Sequence, residues 1–170
     1  MISEDFPIKN RVAESGLINF DLAELIPEGT RKSIDLKDFL FEGIILKEKD
    51  FREKVAAINP EDFRDCFVNI HNSADAIVPL WSYFLLTSRL SGFAKKIVYG
   101  SPADLETMLM HDAISTYDFS PLENKRVLVK GCSEKEIPLN AYIELVEKLR
   151  PLVKSLMFGE ACSSVPIFKN

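Results

Sequence analysis

Residues 126–164 read RVLVKGCSEKEIPLNAYIELVEKLRPLVKSLMFGEACSS, and the order of apolar runs and chain-breaking residues in this stretch decides the fold class. Val127, Leu128 and Val129 form a short apolar run rich in β-branched residues, as a buried strand requires. Gly131 permits a tight turn. Pro138 suits the first turn of a helix, where a missing N–H costs nothing. Behind it Tyr142, Leu145, Val146, Leu149 and Leu152 recur at helical spacing. Pro151 lacks a backbone N–H and ends the regular helix nearby. Lys154 to Phe158 is a second apolar run, closed by Gly159. Two strands joined by a helix form a crossover that is parallel and almost always right-handed.

The same order occurs upstream. PLWSYFLLTSRLSGFAKKIVYG (residues 79–100) aligns with PLNAYIELVEKLRPLVKSLMFG (residues 138–159) at a constant offset of 59. Pro79, Leu80, Tyr83, Leu90, Lys95 and Gly100 match Pro138, Leu139, Tyr142, Leu149, Lys154 and Gly159. With a one-residue shift, Asn72-Ser73 aligns with Cys132-Ser133. Such self-similarity implies an internal repeat of two βαβ units, at about 66–100 and 126–159.

The chain has 170 residues, a length that suits one domain able to bury its own core. Hydrophobic residues make up 46% and charged residues 28%, a composition typical of soluble domains. The net charge of −5 argues against a general nucleic-acid-binding surface. No apolar run approaches the ~20 residues of a membrane span. The N-terminus, MISEDFPIKNRVAESG, lacks a signal-peptide core, so a cytoplasmic location is expected. Three cysteines, an odd number, do not suggest a disulfide scaffold.

In chain order, residues 1–15 read as a loose arm. Leu17 to Phe20 reads as a short strand, and Asp21 caps a turn of helix before Pro27. Arg31 to Leu36 alternates polar and apolar, as in an edge strand. Residues 37–45, KDFLFEGII, are too apolar for a solvated loop and would pack on a sheet face or form a partner surface. Glu48 to Ile58 is an amphipathic helix stopped by Asn59-Pro60. Cys66 to Ile70 is the first strand of the upstream repeat, with Cys66 as a small core filler. A further helix starts at Ser101-Pro102, with Leu105, Met108, Leu109 and Ile114 on its apolar side. Residues 160–170 read as a docked tail. The architecture expected is one α/β domain over residues 1–170, with a mostly parallel sheet and helices on its faces.

In open parallel sheets, ligands bind beyond the carboxyl ends of the strands. The segments leaving those ends are His71 to Asp75, Gly100-Ser101, Gly131 to Glu134 and Gly159 to Ser164. The candidate ligand-binding residues are therefore Asn72, Ser73, Asp75, Ser133, Glu160 and Ser163. Cys132, Cys162 and His71 are the candidate metal ligands, because thiolate and imidazole suit zinc or iron. A reactive thiol beside a helix N-terminus is a second reading. Two unreactive cysteines lining a crevice are a third. Asp75 serves equally well as a helix cap, His71 as a hydrogen-bonded strand-end residue, and His111 as a surface or capping residue. The patterns GxGxxG, GxxxxGK[ST], GxSxG and HExxH are absent, so no reaction is indicated.

At SADAIVPLWSY, KGCS, GEACSSVPIFK, NRVAESGLINFDL and FEGIILKEKDFRE, the chain resembles a bacterial family known as domain of unknown function 2480. The resemblance spans nearly the whole chain and implies the same fold unit and site location, but no activity. Two function classes remain open. One is a protein that binds a small molecule or metal at the crevice of Cys132 and Cys162, with a thiol-redox variant. The other is a non-enzymatic interaction protein, such as a homodimer, joined through Phe39 to Ile45 and the tail Val165 to Phe168.

Overall fold

The computed structural model describes residues 16–131, 135–160 and 163–170. They contain seven strands: β1 (Leu17–Phe20), β2 (Arg31–Asp35), β3 (Phe67–His71), β4 (Lys96–Tyr99), β5 (Arg126–Lys130), β6 (Ser155–Glu160) and β7 (Ser163–Lys169). Four helices are α1 (Glu48–Ala57), α2 (Leu80–Leu90), α3 (Pro102–Thr116) and α4 (Leu139–Leu149). The fold is α/β with mostly parallel strands.

The strands divide between two sheets, of order β2-β3-β4 and β1-β5-β6-β7. All neighbours are parallel except β6 and β7. The contacts of the chain divide in the same way. A continuous unit spans Pro27–Met110, and a discontinuous unit joins the segment ending at Ile26 to His111–Asn170. The four strand-end segments anticipated at one sheet edge therefore separate: those after β3 and β4 belong to the continuous unit, those after β5 and β6 to the discontinuous one.

Within the continuous unit, β3–α2–β4 is a parallel crossover, as the apolar run, Pro79 and Gly100 predict. The core on one face of its sheet contains Ile34, Val68 and Ile70 with Phe51 and Val55 of α1 and Leu86 and Leu90 of α2. Cys66 belongs to this core, 5% exposed. The other face carries Phe67 and Val98, which pack with Leu105 and Leu109 of α3. On α3, Met110 is buried but Met108 is exposed, which corrects its expected place on the apolar side. The buried stripe runs through Leu105, Leu109, Met110 and Ile114, and Met108 lies outside it, beyond the Leu105 edge. Residues 36–45 form a 3₁₀ turn and a tight loop bridged between Phe41 and Ile45. Leu36 and Leu40 are buried there, while Phe41, Ile44 and Ile45 are exposed.

Within the discontinuous unit, β5–α4–β6 repeats the layout. Leu145 and Leu149 of α4 are buried at positions matching Leu86 and Leu90 of α2. Tyr83 meets Tyr99 edge-on at 5.4 Å between ring centroids, and Tyr142 meets Phe158 edge-on at 5.9 Å. Phe20, Tyr117 and Phe119 form a three-ring cluster in the same unit. The segment expected as a docked tail is the antiparallel strand β7, hydrogen-bonded along β6. The β6–β7 hairpin is entered through Gly159 at φ 124°, where an added Cβ would lie 2.5 Å from the Ser163 carbonyl oxygen. Only glycine fits there. Among the described residues, no helix is long and apolar enough to cross a membrane.

Candidate functional site

The carboxyl ends of β1, β5 and β6 open into a cleft of about 270 Å³ in the discontinuous unit, lined by Asn19, Asp21, Glu24, Lys130 and Glu160 over a floor that includes Phe20 and Leu128. The sequence builds it directly. Asn19, Leu128 and Met157 are register partners on one face, since facing residues in a parallel ladder point the same way. One step further along, Asp21 caps the 3₁₀ turn Leu22–Leu25 by accepting the Ala23 N–H at 2.9 Å. Lys130, the last residue of β5, donates to the second Asp21 oxygen at 3.0 Å. That lysine, aided by the Ala23 N–H and opposed by burial, holds the Asp21 carboxyl below the ordinary range. Burial first, and the Asp21 charge second, raise the Tyr142 hydroxyl.

The corresponding end of the continuous unit holds a second polar cluster. Asp35 ends β2 where Asp21 directly follows β1, and it caps the turn Leu36–Phe39 through the Lys37 N–H at 3.0 Å. It also accepts the Ser73 N–H at 3.1 Å and the Ser73 hydroxyl. Burial raises this carboxyl, but the bonds from Ser73 and Lys37, with His71 nearby, outweigh it and lower the pKa to about 2. His71 stands where Lys130 stands in the other unit, with Nε2 3.5 Å from Asp35. Its Nδ1 lies 3.3 Å from Ser33 Oγ and 3.4 Å from Asn69 Nδ2. Asn69 is 2% exposed, and its amide also donates to the Gly100 carbonyl at 2.9 Å. That bond fixes the amide orientation, so an Asn69 N–H faces His71 Nδ1, while Nε2 faces Asp35.

The residues anticipated from sequence fall as follows. His71 and Ser73 meet at Asp35. Asn72 orders its own loop: its side-chain oxygen accepts the Ala74 N–H, and its amide donates to the Ala76 carbonyl. Asp75 is exposed in that loop and does not cap α2, whose N-cap is Pro79 without a side-chain bond. Glu160 lines the cleft of the discontinuous unit, and Ser163 pairs with it across the hairpin. Cys132, Ser133 and Cys162 lie outside the described residues. His111 sits on α3 with Nδ1 3.1 Å from Glu144.

Sequence reasoning placed Asp21 only as a helix cap, not in a site, and passed over Asp35, Lys130 and Asn69. The first three had a signal. NFDLAELI (residues 19–26) and SIDLKDFL (residues 33–40) share Asp-Leu and the apolar residues after it at an offset of 14, and His71 and Lys130 differ by the same 59 that separates Pro79 from Pro138 and Gly100 from Gly159. Asn69 carried none, because an asparagine inside a strand gives no indication of its partners.

Residues 7–170 match the family model described as Protein of unknown function (DUF2480). The chain belongs to this family. No curated protein and no solved structure matches it. Membership in DUF2480 covers nearly the full length and brings no reaction with it, so the chemistry rests on the clusters themselves. Among the described residues, no group of three or more His, Cys, Asp or Glu side chains is placed to hold a metal ion. A metal in either cluster would therefore need further ligands.

Proposed function

We propose that the chain is a binding protein that takes a small ligand or a soft metal ion at the carboxyl-end cleft of its discontinuous unit. One observation carries this reading. The cleft's rim includes Lys130 and Glu160, and the chain continues from them into both candidate thiols, Gly131-Cys132 and Ala161-Cys162. Each cysteine is two positions along the chain from a lining residue. Thiolates with the Asp21 or Glu160 carboxylates would form a mixed sulfur–oxygen set suited to zinc or iron. The cluster of His71 and Ser73 with Asp35, followed in the chain by the loop that holds Asn72 and Asp75, is the equivalent rim of the continuous unit, consistent with an internal duplication. A cytoplasmic location would keep the thiols reduced.

The test is anaerobic purification of the full chain, with bound metal and free thiols measured together, followed by titration with zinc(II) and iron(II). Stoichiometric metal that is lost in both Cys132→Ser and Cys162→Ser is expected. Absence of metal together with equal zinc affinity in wild type and both variants would overturn it. A single fast-reacting thiol without metal would replace it with the redox reading.

A second reading has its own observation. Ile44 and Ile45 are 64% and 58% exposed in the continuous unit, and Val165 and Ile167 are 61% and 49% exposed in the discontinuous one. These patches suit a homodimer contact. Light scattering decides it: a strict monomer at high concentration would remove this reading.

A further inference from the structure

The sheet face that carries Lys130 at its carboxyl end carries a second cleft at its amino end, and the two are opposite in character. Arg126, Leu128 and Lys130 alternate onto one face of β5, with Ser155, Met157 and Gly159 beside them on β6. At the Arg126 end, a cleft of about 430 Å³ is lined by Arg126, Lys154 and Lys169, with Met157, Ile167 and Phe168 among the apolar residues of its wall. Among the described residues, no Asp or Glu lines it. In a chain of net charge −5, three cations around one opening are a local reversal of sign.

Several features of this cleft are specific. Neither Lys154 nor Lys169 has an ion-pair partner among the described residues. The ring of Phe168 carries the Arg150 guanidinium at 4.4 Å from its centroid. The β6–β7 register breaks between Leu156 and Met157, so Phe168 pairs with Leu156 while Pro166 pairs with Met157. Ile167 is the extra residue, and such a bulge re-aims side chains at the edge of a sheet. A basic rim above an apolar wall fits a ligand with the inverse layout, an anionic group on an apolar body. Three cations exceed what one carboxylate needs and match a multiply charged group. The volume lies in the range of small-molecule sites, roughly 300–1,000 Å³.

We infer that this amino-end cleft binds a phosphorylated small molecule of nucleotide size, with the phosphates at Arg126, Lys154 and Lys169 and the apolar body against Met157, Ile167 and Phe168. The inference does not depend on the carboxyl-end site, which involves other residues and a ligand of opposite charge.

The test uses the full chain and a fluorescent N-methylanthraniloyl ADP as probe. Saturable binding is expected, displaced by unlabelled ADP and by inorganic pyrophosphate and weakened as salt is raised. The double variant Lys154→Gln/Lys169→Gln removes two exposed charge contacts and should weaken binding about tenfold. The conservative Lys154→Arg/Lys169→Arg variant should retain it, and circular dichroism confirms that each variant is folded. The corresponding N-methylanthraniloyl adenosine, which lacks phosphate, should bind at least tenfold more weakly than the diphosphate. No saturable binding up to millimolar probe, or equal affinity in the glutamine variant, would overturn the inference. So would direct binding of labelled polyglutamate without any binding of the nucleotide, which would make the cleft a protein-docking surface.

Discussion

Asp35→Asn is the substitution whose effect the structure fixes most closely. The carboxylate accepts from the Lys37 N–H, the Ser73 N–H and the Ser73 hydroxyl, and it faces His71. Asparagine keeps the shape and one acceptor oxygen but loses the charge and the second acceptor. A pKa held at about 2 against an ordinary 3.8 corresponds to ~2.4 kcal/mol of folded-state stabilisation if unscreened. The Asp35 side chain is 24% exposed, and solvent screening lowers this to about 1 kcal/mol. Losing an Asp cap gives a similar figure, ~1 kcal/mol. The folded pKa lies below the unfolded one, so the stabilisation is fully present above about pH 5 and is lost as pH falls toward 2. The deficit of Asp35→Asn should therefore be about 1 kcal/mol at pH 7 and about half that at pH 3. Urea unfolding followed by circular dichroism at both pH values measures it. Equal stability of variant and wild type at pH 7, or a deficit that grows on acidification, would refute the reasoning.

Two further substitutions probe the frame. Leu90→Ala and Leu149→Ala each empty a fully buried site at matching positions of α2 and α4, and each should cost about 2–5 kcal/mol in urea unfolding, with similar values if the two crossovers are equally packed. Gly159→Ala places a Cβ against the Ser163 carbonyl oxygen at a φ reserved for glycine, so it should destabilise by more than 2 kcal/mol and raise hydrogen exchange along β6–β7.

Much of the architecture was legible in sequence. The crossover helices, their Pro entries and the flanking strands follow from apolar period and chain-breaking residues, which are local properties. The Asp21 cap was readable for the same reason: a short acceptor just before an apolar turn satisfies an orphan N–H wherever the chain goes next. Met108 was misplaced because period alone does not fix the width of a buried stripe. The docked tail proved to be a strand over 163–169, and its Pro166 is tolerated because β7 is an edge strand.

The site divides along the same line. Sequence located the strand-end segments and named His71, Ser73 and Glu160 within them, because carboxyl ends of parallel strands collect such loops. It did not say which strands share a sheet. The split into β2-β3-β4 and β1-β5-β6-β7 brings β1 beside β5, more than a hundred positions away, and so joins Asp21 to Lys130. Likewise Asn69 found its partners, and Arg126, Lys154 and Lys169 came to line one cleft, only through strand register. Local propensity is written residue by residue. Pairing between distant strands depends on which apolar faces can be buried together, and only the tertiary structure decides that.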